Sequence, residues 1–230
     1  MDFDKTWKKA EGYGYPYLKW SSRSNNVFGD SITVLDGSGT DEDPYIIRTL
    51  QDLRSIGYSI YTLDRVYRLV NDITMSAETN NRAYKESIGH QGKVTSKWLP
   101  DLSIASGKTF NTKFSGKFLG GGHTITGLCA VYDFSPGVGF IDTLAETGIV
   151  DSLSLVNFKT TNNAQWSGAV VVNYGTIKNV SIDGALLGVN VGGVAGNNYG
   201  TIQDCYVTGN VVADSVAGGI AAENWGTIDN

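Results

Sequence analysis

The 230-residue chain has few of the residues that usually carry chemistry, with 2 cysteines and 2 histidines. Two cysteines do not indicate a disulfide framework, so we expect Cys129 and Cys205 to be free thiols. His90 and His123 belong to no H-E-x-x-H motif and to no Cys/His cluster, which argues against a zinc-peptidase site. The chain has no run of about 18 apolar residues, so no membrane insertion by this segment is expected.

Positive charge is also scarce, and its distribution is uneven. The net charge is −5, so a nucleic-acid partner has no electrostatic support. Residues 118–230 contain only Lys159 and Lys178 against nine acidic residues. Polysaccharide lyases of the fold predicted below need a basic catalytic residue on the coils, and all the arginines lie before residue 118. A lyase centre is therefore not expected.

One short phrase, asparagine–aromatic–glycine–threonine–isoleucine, occurs three times near the end of the chain, at positions 173–177, 198–202 and 224–228. The copies therefore recur with a period of about 25 residues, which is typical of a solenoid whose repeats are coils stacked on one another. The 29 glycines suit the many tight corners of such an all-β protein.

Apolar and polar residues alternate within a coil, as in residues 180–182, and this period of two predicts β-strands. Strands that recur once per coil pair in parallel with the equivalent strand of the next coil. We therefore predict an all-β parallel β-helix solenoid, right-handed by general chirality. Alignment of the earlier coils on the repeat places Val150 over Ile177 and Ile125 over Val150.

Stacked coils bring equivalent side chains into columns. Asparagine columns at turns allow side-chain amides to hydrogen-bond from coil to coil. The predicted structural ladders are Asn173, Asn198 and Asn224 within the phrase, and Asn179, Asp204 and Asn230 after it.

The phrase also predicts an aromatic column of Tyr174, Tyr199 and Trp225. Such a column can serve as a sugar-binding platform or can pack a corner of the β-helix, and both interpretations remain open. These three residues are the candidate ligand-binding residues of the chain.

The remaining sequence divides into four predicted segments. Residues 1–20 are assigned to the tail of a preceding module because they resemble the closing segment of a known repeat family, and the composition of residues 21–42 indicates a linker. Residues 43–113 are expected to form an N-terminal cap of a strand, a helix and a loop. Residues 114–230 form the repeats of about 25–29 residues, which stop in mid-coil. We therefore expect a piece of a longer chain that continues into further modules.

The predicted cap contains a short helix that follows Thr49. Thr49 is its expected N-cap, with Asp52 in the capping-box position. Leu53 and Ile56 share one face, and Gly57 is the expected stop. An amphipathic helix of this kind can cover the exposed hydrophobic end of the first coil.

The repeat phrase, together with the Gly-Gly-apolar stretches at 192–196 and 218–222, resembles the GLUG-type repeat of bacterial surface proteins. The segments at 39–45 and 114–125 resemble the flanks of such domains. The resemblance implies an exported protein at the cell surface, often a large multi-repeat adhesin. Similar repeats also occur as non-catalytic parts of immunoglobulin-A-cleaving metallopeptidases. The resemblance implies no catalytic residue, cofactor or metal.

The sequence gives little support to other kinds of chemistry. A glycosidase of this fold needs paired carboxylates, but Asp183 and Asp204 are separated by less than one repeat and do not share a column. Asp151 is expected to pair with Lys178 across one coil, and His123 is expected to be a structural turn residue. The acidic stretch at 36–43 reads as a solvated linker, with calcium ligation as the open alternative.

The sequence therefore predicts a non-enzymatic repeat module of an exported bacterial surface protein. It would serve adhesion to a host or cell-surface glycan or protein, or it would act as a rigid spacer. The alternatives are an accessory domain of a larger secreted peptidase or polysaccharide-active enzyme, and a structural fibre component.

Overall fold

The computed structural model describes residues 34–57, 61–75, 113–130, 137–160 and 164–229. It also describes the backbone of two short antiparallel pairs, β1 (Trp7–Lys8) with β2 (Tyr17–Leu18) and β6 (Ile88–Gly89) with β7 (Lys93–Val94). The described residues form a parallel β-helix whose coils contribute strands to three sheets. This confirms the predicted fold class, and the right-handed sense stays a prediction.

The first sheet is seven-stranded and runs through the described solenoid from its first strand to its last. Neighbouring strands pair in parallel, with Phe118 beside Val150, Val150 beside Ile177 and Ile177 beside Ile202. Its strands in spatial order are β3 (Tyr45–Ile47), β4 (Val66–Leu69), β8 (Lys117–Leu119), β13 (Ile149–Asp151), β17 (Thr176–Lys178), β20 (Thr201–Gln203) and β23 (Thr227–Asp229).

The second sheet contains the longest strands, and its pairing shifts register between Val156 and Phe158 and between Gly188 and Asn190. Its main strands are β5 (Ile73–Thr74), β9 (Thr124–Thr126), β14 (Ser154–Thr160), β18 (Ser181–Gly192) and β21 (Tyr206–Gly218). Three short strands, β10 (Cys129–Ala130), β11 (Gly137–Val138) and β15 (Trp166–Ser167), complete it. The third sheet consists of β12 (Ile141–Leu144), β16 (Val170–Asn173), β19 (Ala195–Asn198) and β22 (Ala221–Asn224).

The core lies inside the coil and is built of columns of apolar side chains. Phe118, Val150, Ile177 and Ile202 form one such column, and each is at most 2% exposed. Burial of apolar surface stabilises a fold by roughly 25 cal/mol per Å², so each repeated isoleucine or valine contributes to cohesion between coils. Among the described residues, no helix is long and apolar enough to span a membrane.

The helix α1 (Leu50–Ser55) has the cap that the sequence predicts. Asp52 N–H donates to Thr49 Oγ1 at 3.2 Å, and Thr49 N–H donates back to Asp52 Oδ2 at 3.0 Å. Leu53 and Ile56 are buried in the core, and Gly57 follows with a positive φ of 89°. The helix packs on β3, the first strand of the parallel sheet, which fits its predicted capping role.

The parallel sheet begins before residue 114. Strands β3 and β4 lie within the segment predicted as the cap, and β4 pairs directly with β8. Residues 34–42, predicted as linker, contact the first coils: Leu35 is buried and Ile46 N–H donates to the Asp36 carbonyl. The division of the chain into modules stays a prediction.

One predicted register is wrong. Val150 lies beside Ile177 as expected, but its neighbour in the previous coil is Phe118, and Ile125 lies beside Leu155 in the second sheet. The corner between the first and second sheets explains the error. The step from Phe118 to Ile125 is longer than the step from Val150 to Leu155, so the earlier corner contains an insertion. The residues around Ile125 alternate between apolar and polar like a first-sheet strand, and the periodic alignment therefore placed Ile125 beside Val150.

Candidate functional site

The repeat phrase forms the corner between the third sheet and the first. In each copy, asparagine ends a third-sheet strand, the aromatic residue and glycine make the corner, and threonine begins a first-sheet strand. The registers place Asn173 beside Asn198 and Asn198 beside Asn224. The three copies therefore stack one above another.

The three phrase asparagines are joined by side-chain hydrogen bonds. Asn173 Nδ2 donates to Asn198 Oδ1 at 2.7 Å, and Asn198 Nδ2 donates to Asn224 Oδ1 at 2.7 Å. Asn173 Oδ1 also accepts the backbone N–H of Gly175 at 3.0 Å. Asn173 and Asn198 are fully buried, whereas Asn224 is exposed. The arrangement satisfies buried polar groups and links successive coils.

The second asparagine column lies at the next corner. Asn179 and Asp204 have positive φ values of 54° and 48°, and Ser152 one coil earlier has 55°. Short polar side chains tolerate this left-handed conformation, which explains their recurrence at this position. Asn179 Nδ2 donates to Asp151 Oδ1 at 3.0 Å. Asn230, the third predicted member, lies outside the described residues.

The phrase glycine sits where the chain has no room for a side chain. A Cβ on Gly175 would lie 2.3 Å from the Gly148 carbonyl oxygen, and one on Gly200 would lie 2.2 Å from that of Gly175. A Cβ on Gly226 would similarly lie 2.1 Å from the Gly200 oxygen. The glycine of the phrase therefore permits the close stacking of successive corners.

The aromatic residues of the phrase lie outside the ladder. Tyr174 and Tyr199 stack with ring centroids 5.1 Å apart and planes 13° apart. Lys113 Nζ lies 4.4 Å from the centroid of Tyr174, a cation–π contact. Trp225 is 72% exposed, and its Nε1 lies 3.5 Å from Glu223 Oε2. We refer to Tyr174, Tyr199 and Trp225 together as the aromatic file.

Sequence reasoning missed the two charged residues that flank this file. Lys113 is distant from Tyr174 in sequence and lies outside the repeat pattern. Glu223 precedes Trp225 closely in sequence, so its proximity was available from strand geometry. The ligand-binding role of the three aromatic residues stays a prediction.

Two other polar contacts agree with the sequence analysis. Lys178 Nζ lies 3.3 Å from Asp151 Oδ2, the cross-coil ion pair that was predicted. Burial raises the pKa of Asp151, but hydrogen bonds from Asn179, Ser152 and Lys178 outweigh it, so the pKa is lowered overall. The carboxylate therefore remains charged and serves as a bridge between coils.

His123, expected to be a structural turn residue, makes a contact with the previous coil. Its Nδ1 lies 3.2 Å from Asp72 Oδ1, and the same oxygen accepts the Thr124 N–H at 2.9 Å. The hydrogen bond from Thr124, followed by the contact with His123, lowers the pKa of Asp72. His90 lies outside the described residues.

The acidic stretch at 36–43 uses two of its carboxylates in ion pairs. Asp36 Oδ2 lies 2.8 Å from Arg48 Nη1, and Asp41 Oδ1 lies 2.6 Å from Lys117 Nζ. Within the described part of the chain, no group of three or more His, Cys, Asp or Glu side chains could hold a metal ion. Among the described residues, neither Cys129 nor Cys205 forms a disulfide.

The fold and its corners define a class of protein, the parallel β-helix solenoids. Residues 188–212 match the family described as "The GLUG motif". The chain thus carries a GLUG-type repeat domain, as the phrase predicted.

Two further comparisons give a relative in sequence and a neighbour in fold. The chain is 31% identical over 170 residues to halomucin of Haloquadratum walsbyi, and the match spans 73% of the chain but 2% of halomucin. It also resembles the crystal structure of a proposed immunoglobulin A1 protease from Bacteroides ovatus, with a TM-score of 0.56 and 19% identity. That match covers 84% of this chain and 57% of the other, and it shows likeness of fold.

Proposed function

We propose that the chain is a non-catalytic repeat module of an exported surface protein and that it works as a rigid spacer which also offers adhesive contacts. Support comes from the GLUG-type repeat and from the likeness to halomucin, of which the matched part is a small fraction. The bacterial source implied by the resemblance and the continuation into further modules belong to the same proposal.

The observation that carries the spacer role is the continuous stacking of coils. The seven strands of the first sheet pair in parallel without a break, and the Asn173–Asn198–Asn224 ladder adds hydrogen bonds between three coils. Bending the solenoid at these coils would separate both the backbone pairs and the side-chain amides. Each such hydrogen bond contributes about 1 kcal/mol, so resistance to bending accumulates along the stack.

Adhesive contacts would come from the aromatic file and from neighbouring polar groups, with a glycan or a protein of a host or cell surface as partner. Aromatic rings contribute large contact areas at low entropic cost, and the low positive charge of residues 118–230 gives no support to nucleic acid.

The second candidate is an accessory domain of a larger secreted enzyme. It is favoured by the fold shared with the proposed immunoglobulin A1 protease. A structural fibre component is a third, which trimeric assembly in solution would favour. In all three, this chain supplies no catalytic group.

The surface location is tested by antibodies raised against the described coils and applied to intact and permeabilised cells of the source organism. Equal labelling of both preparations is expected, with a ribosomal protein labelled only after permeabilisation. Labelling that requires permeabilisation would overturn the proposal.

A further inference from the structure

The outer face of the first sheet carries uncharged hydrogen-bonding groups on two successive coils. Ile177 and Ile202 are buried, and side chains alternate along a strand, so Thr176 and Thr201 point outward. Gln203 points outward for the same reason and is exposed. The side chains of Thr176, Thr201 and Gln203 form no hydrogen bond with another described residue, so these groups are available to a ligand.

The aromatic file borders this face and meets it with its hydroxyl edge. Tyr199 is 46% exposed at the corner that precedes Thr201, and its hydroxyl has no hydrogen-bond partner among the described residues. Tyr199 stacks on Tyr174 with centroids 5.1 Å apart, and the Lys113 ammonium lies over the Tyr174 ring at 4.4 Å. Little ring face of Tyr174 is therefore free, and a ligand would contact the file through the phenol hydroxyls.

The two coils that carry these groups lie within the stack. Strand β17 pairs with β13 on one side and with β20 on the other, and β20 pairs in turn with β23. The outward faces of β17 and β20 are therefore lateral surfaces of the solenoid. Further coils added to the stack would extend these surfaces and leave them uncovered.

The hydrogen-bonding groups recur at a fixed distance along the solenoid axis. Thr176 and Thr201 are register partners on adjacent strands, about 4.8 Å apart. A β-1,4-linked polysaccharide advances by nearly the same distance per sugar, because its equatorial linkages keep the chain extended. An α-1,4-linked chain coils instead and does not keep this period. A β-1,4-linked chain along the axis would thus present successive sugars to successive coils.

The charges near these groups are already paired within the protein. Lys178 Nζ lies 3.3 Å from Asp151 Oδ2, and the Lys113 ammonium is engaged by the Tyr174 ring. The remaining groups of the face are neutral hydroxyls and an amide. Complementarity of charge therefore favours an uncharged partner over an acidic or a basic one.

We propose that the outer face formed by Thr176, Tyr199, Thr201 and Gln203 binds an extended, uncharged β-1,4-linked polysaccharide that lies along the solenoid axis. The sugar hydroxyls would exchange hydrogen bonds with the tyrosine and threonine hydroxyls and with the glutamine amide. The inference rests on the proposed adhesive role and narrows its partner to one class of glycan.

The test titrates the whole chain with oligosaccharides and follows its backbone amide signals by two-dimensional NMR. The probes are the β-1,4-linked hexamers cellohexaose and chitohexaose, with maltohexaose as the matched control, because cellohexaose and maltohexaose are glucose hexamers that differ in linkage. We expect a β-linked hexamer to shift the signals of the first-sheet face and maltohexaose to bind at least about tenfold more weakly. Binding of neither β-linked hexamer, or equal affinity for cellohexaose and maltohexaose, would overturn the proposal.

A charged probe tests the predicted neutrality of the partner. The hexamer of β-1,4-linked mannuronate is extended like cellohexaose but carries a carboxylate on every sugar. It should bind more weakly than the better of the two uncharged β-linked hexamers. Stronger binding of the mannuronate hexamer would overturn the assignment to an uncharged glycan.

Two variants locate the site on the first sheet. Tyr199→Phe and Thr201→Val each remove one hydroxyl and keep the size of the side chain, so each should weaken binding about fivefold through one lost hydrogen bond. Thr126→Val is the control, because Thr126 is a half-buried threonine of the second sheet, and it should leave the affinity unchanged. The amide spectrum shows whether each variant is folded. Equal affinities for all three variants would place the sugar elsewhere and overturn the proposal.

These outcomes are independent of the surface-labelling experiment. Absence of oligosaccharide binding with intact surface labelling removes the glycan inference and leaves the spacer. Failed labelling with retained oligosaccharide binding removes the surface location and leaves the binding site.

Discussion

Replacing Asn198 by alanine tests whether the asparagine ladder holds the coils together. The side chain is fully buried, accepts from Asn173 Nδ2 at 2.7 Å, and donates to Asn224 Oδ1 at 2.7 Å and to the Thr227 carbonyl at 3.2 Å. Each lost bond costs about 1 kcal/mol, and the buried amide of Asn173 loses its shortest acceptor contact. We therefore expect Asn198→Ala to reduce the free energy of unfolding by about 3 kcal/mol.

The assay is urea denaturation followed by tryptophan fluorescence and circular dichroism. Asn210→Ala is the control, because Asn210 is an exposed asparagine on β21 of the second sheet and its loss should cost less than about 0.5 kcal/mol. The destabilisation caused by Asn224→Ala should lie between those of Asn198→Ala and Asn210→Ala, because Asn224 is exposed and is the last member of the described ladder. An Asn198→Ala midpoint that coincides with that of Asn210→Ala would refute the reasoning, because the ladder would then contribute nothing measurable.

Three further predictions test other parts of the structure by the same denaturation assay. Gly175→Ala should lower the free energy of unfolding by about 2 kcal/mol or more, because the new Cβ would lie 2.3 Å from a carbonyl oxygen. Gly219→Ala is the control and should be nearly neutral, because a Cβ there has no neighbour within 4 Å. Equal destabilisation by the two variants would contradict the packing argument. Asp72 accepts the Thr124 N–H, and this hydrogen bond lowers the pKa of the Asp72 carboxyl in the folded state. The stability that this carboxylate contributes to the fold should therefore be complete above its unfolded-state pKa of ~4 and should be lost as the pH falls through its folded-state pKa. A stability difference between wild type and Asp72→Asn that persists at pH 2 would exclude this linkage. Thr49→Ala should cost about 1 kcal/mol through the lost helix cap, and an unchanged midpoint would show that the cap is dispensable.

The parts of the fold that repeat were predictable from the sequence. The repeat period places Ile177 beside Ile202, and Asn173 beside Asn198, because a shift of the register by a single position would remove an isoleucine from the core. The cap at Thr49 was predictable because its signals lie close together in sequence.

The parts that depend on irregular corners were not predictable. Phe118 lies beside Val150 only because the corner after Phe118 is longer than the equivalent corner after Val150, and a periodic alignment does not reveal so short an insertion. Strand β3 joins the first sheet without a copy of the phrase to mark it.

The candidate site was predictable in its residues but not in its neighbours. The phrase indicates that Tyr174 and Tyr199 share a column, yet the contact with Lys113 depends on a segment outside the repeats. Asn197 Oδ1 is buried without a hydrogen-bond partner among the described residues, and the sequence does not reveal this burial.

Cysteine cross-linking of the first sheet tests the stacked coils most directly. In a background with Cys129 and Cys205 replaced by alanine, we predict that Thr176→Cys with Thr201→Cys forms a disulfide on mild oxidation. These positions are register partners on adjacent coils, about 4.8 Å apart. Thr176→Cys with Thr227→Cys spans two coils, about 9.6 Å, and should remain reduced. Equal cross-linking of both pairs, or of the second alone, would contradict the parallel β-helix.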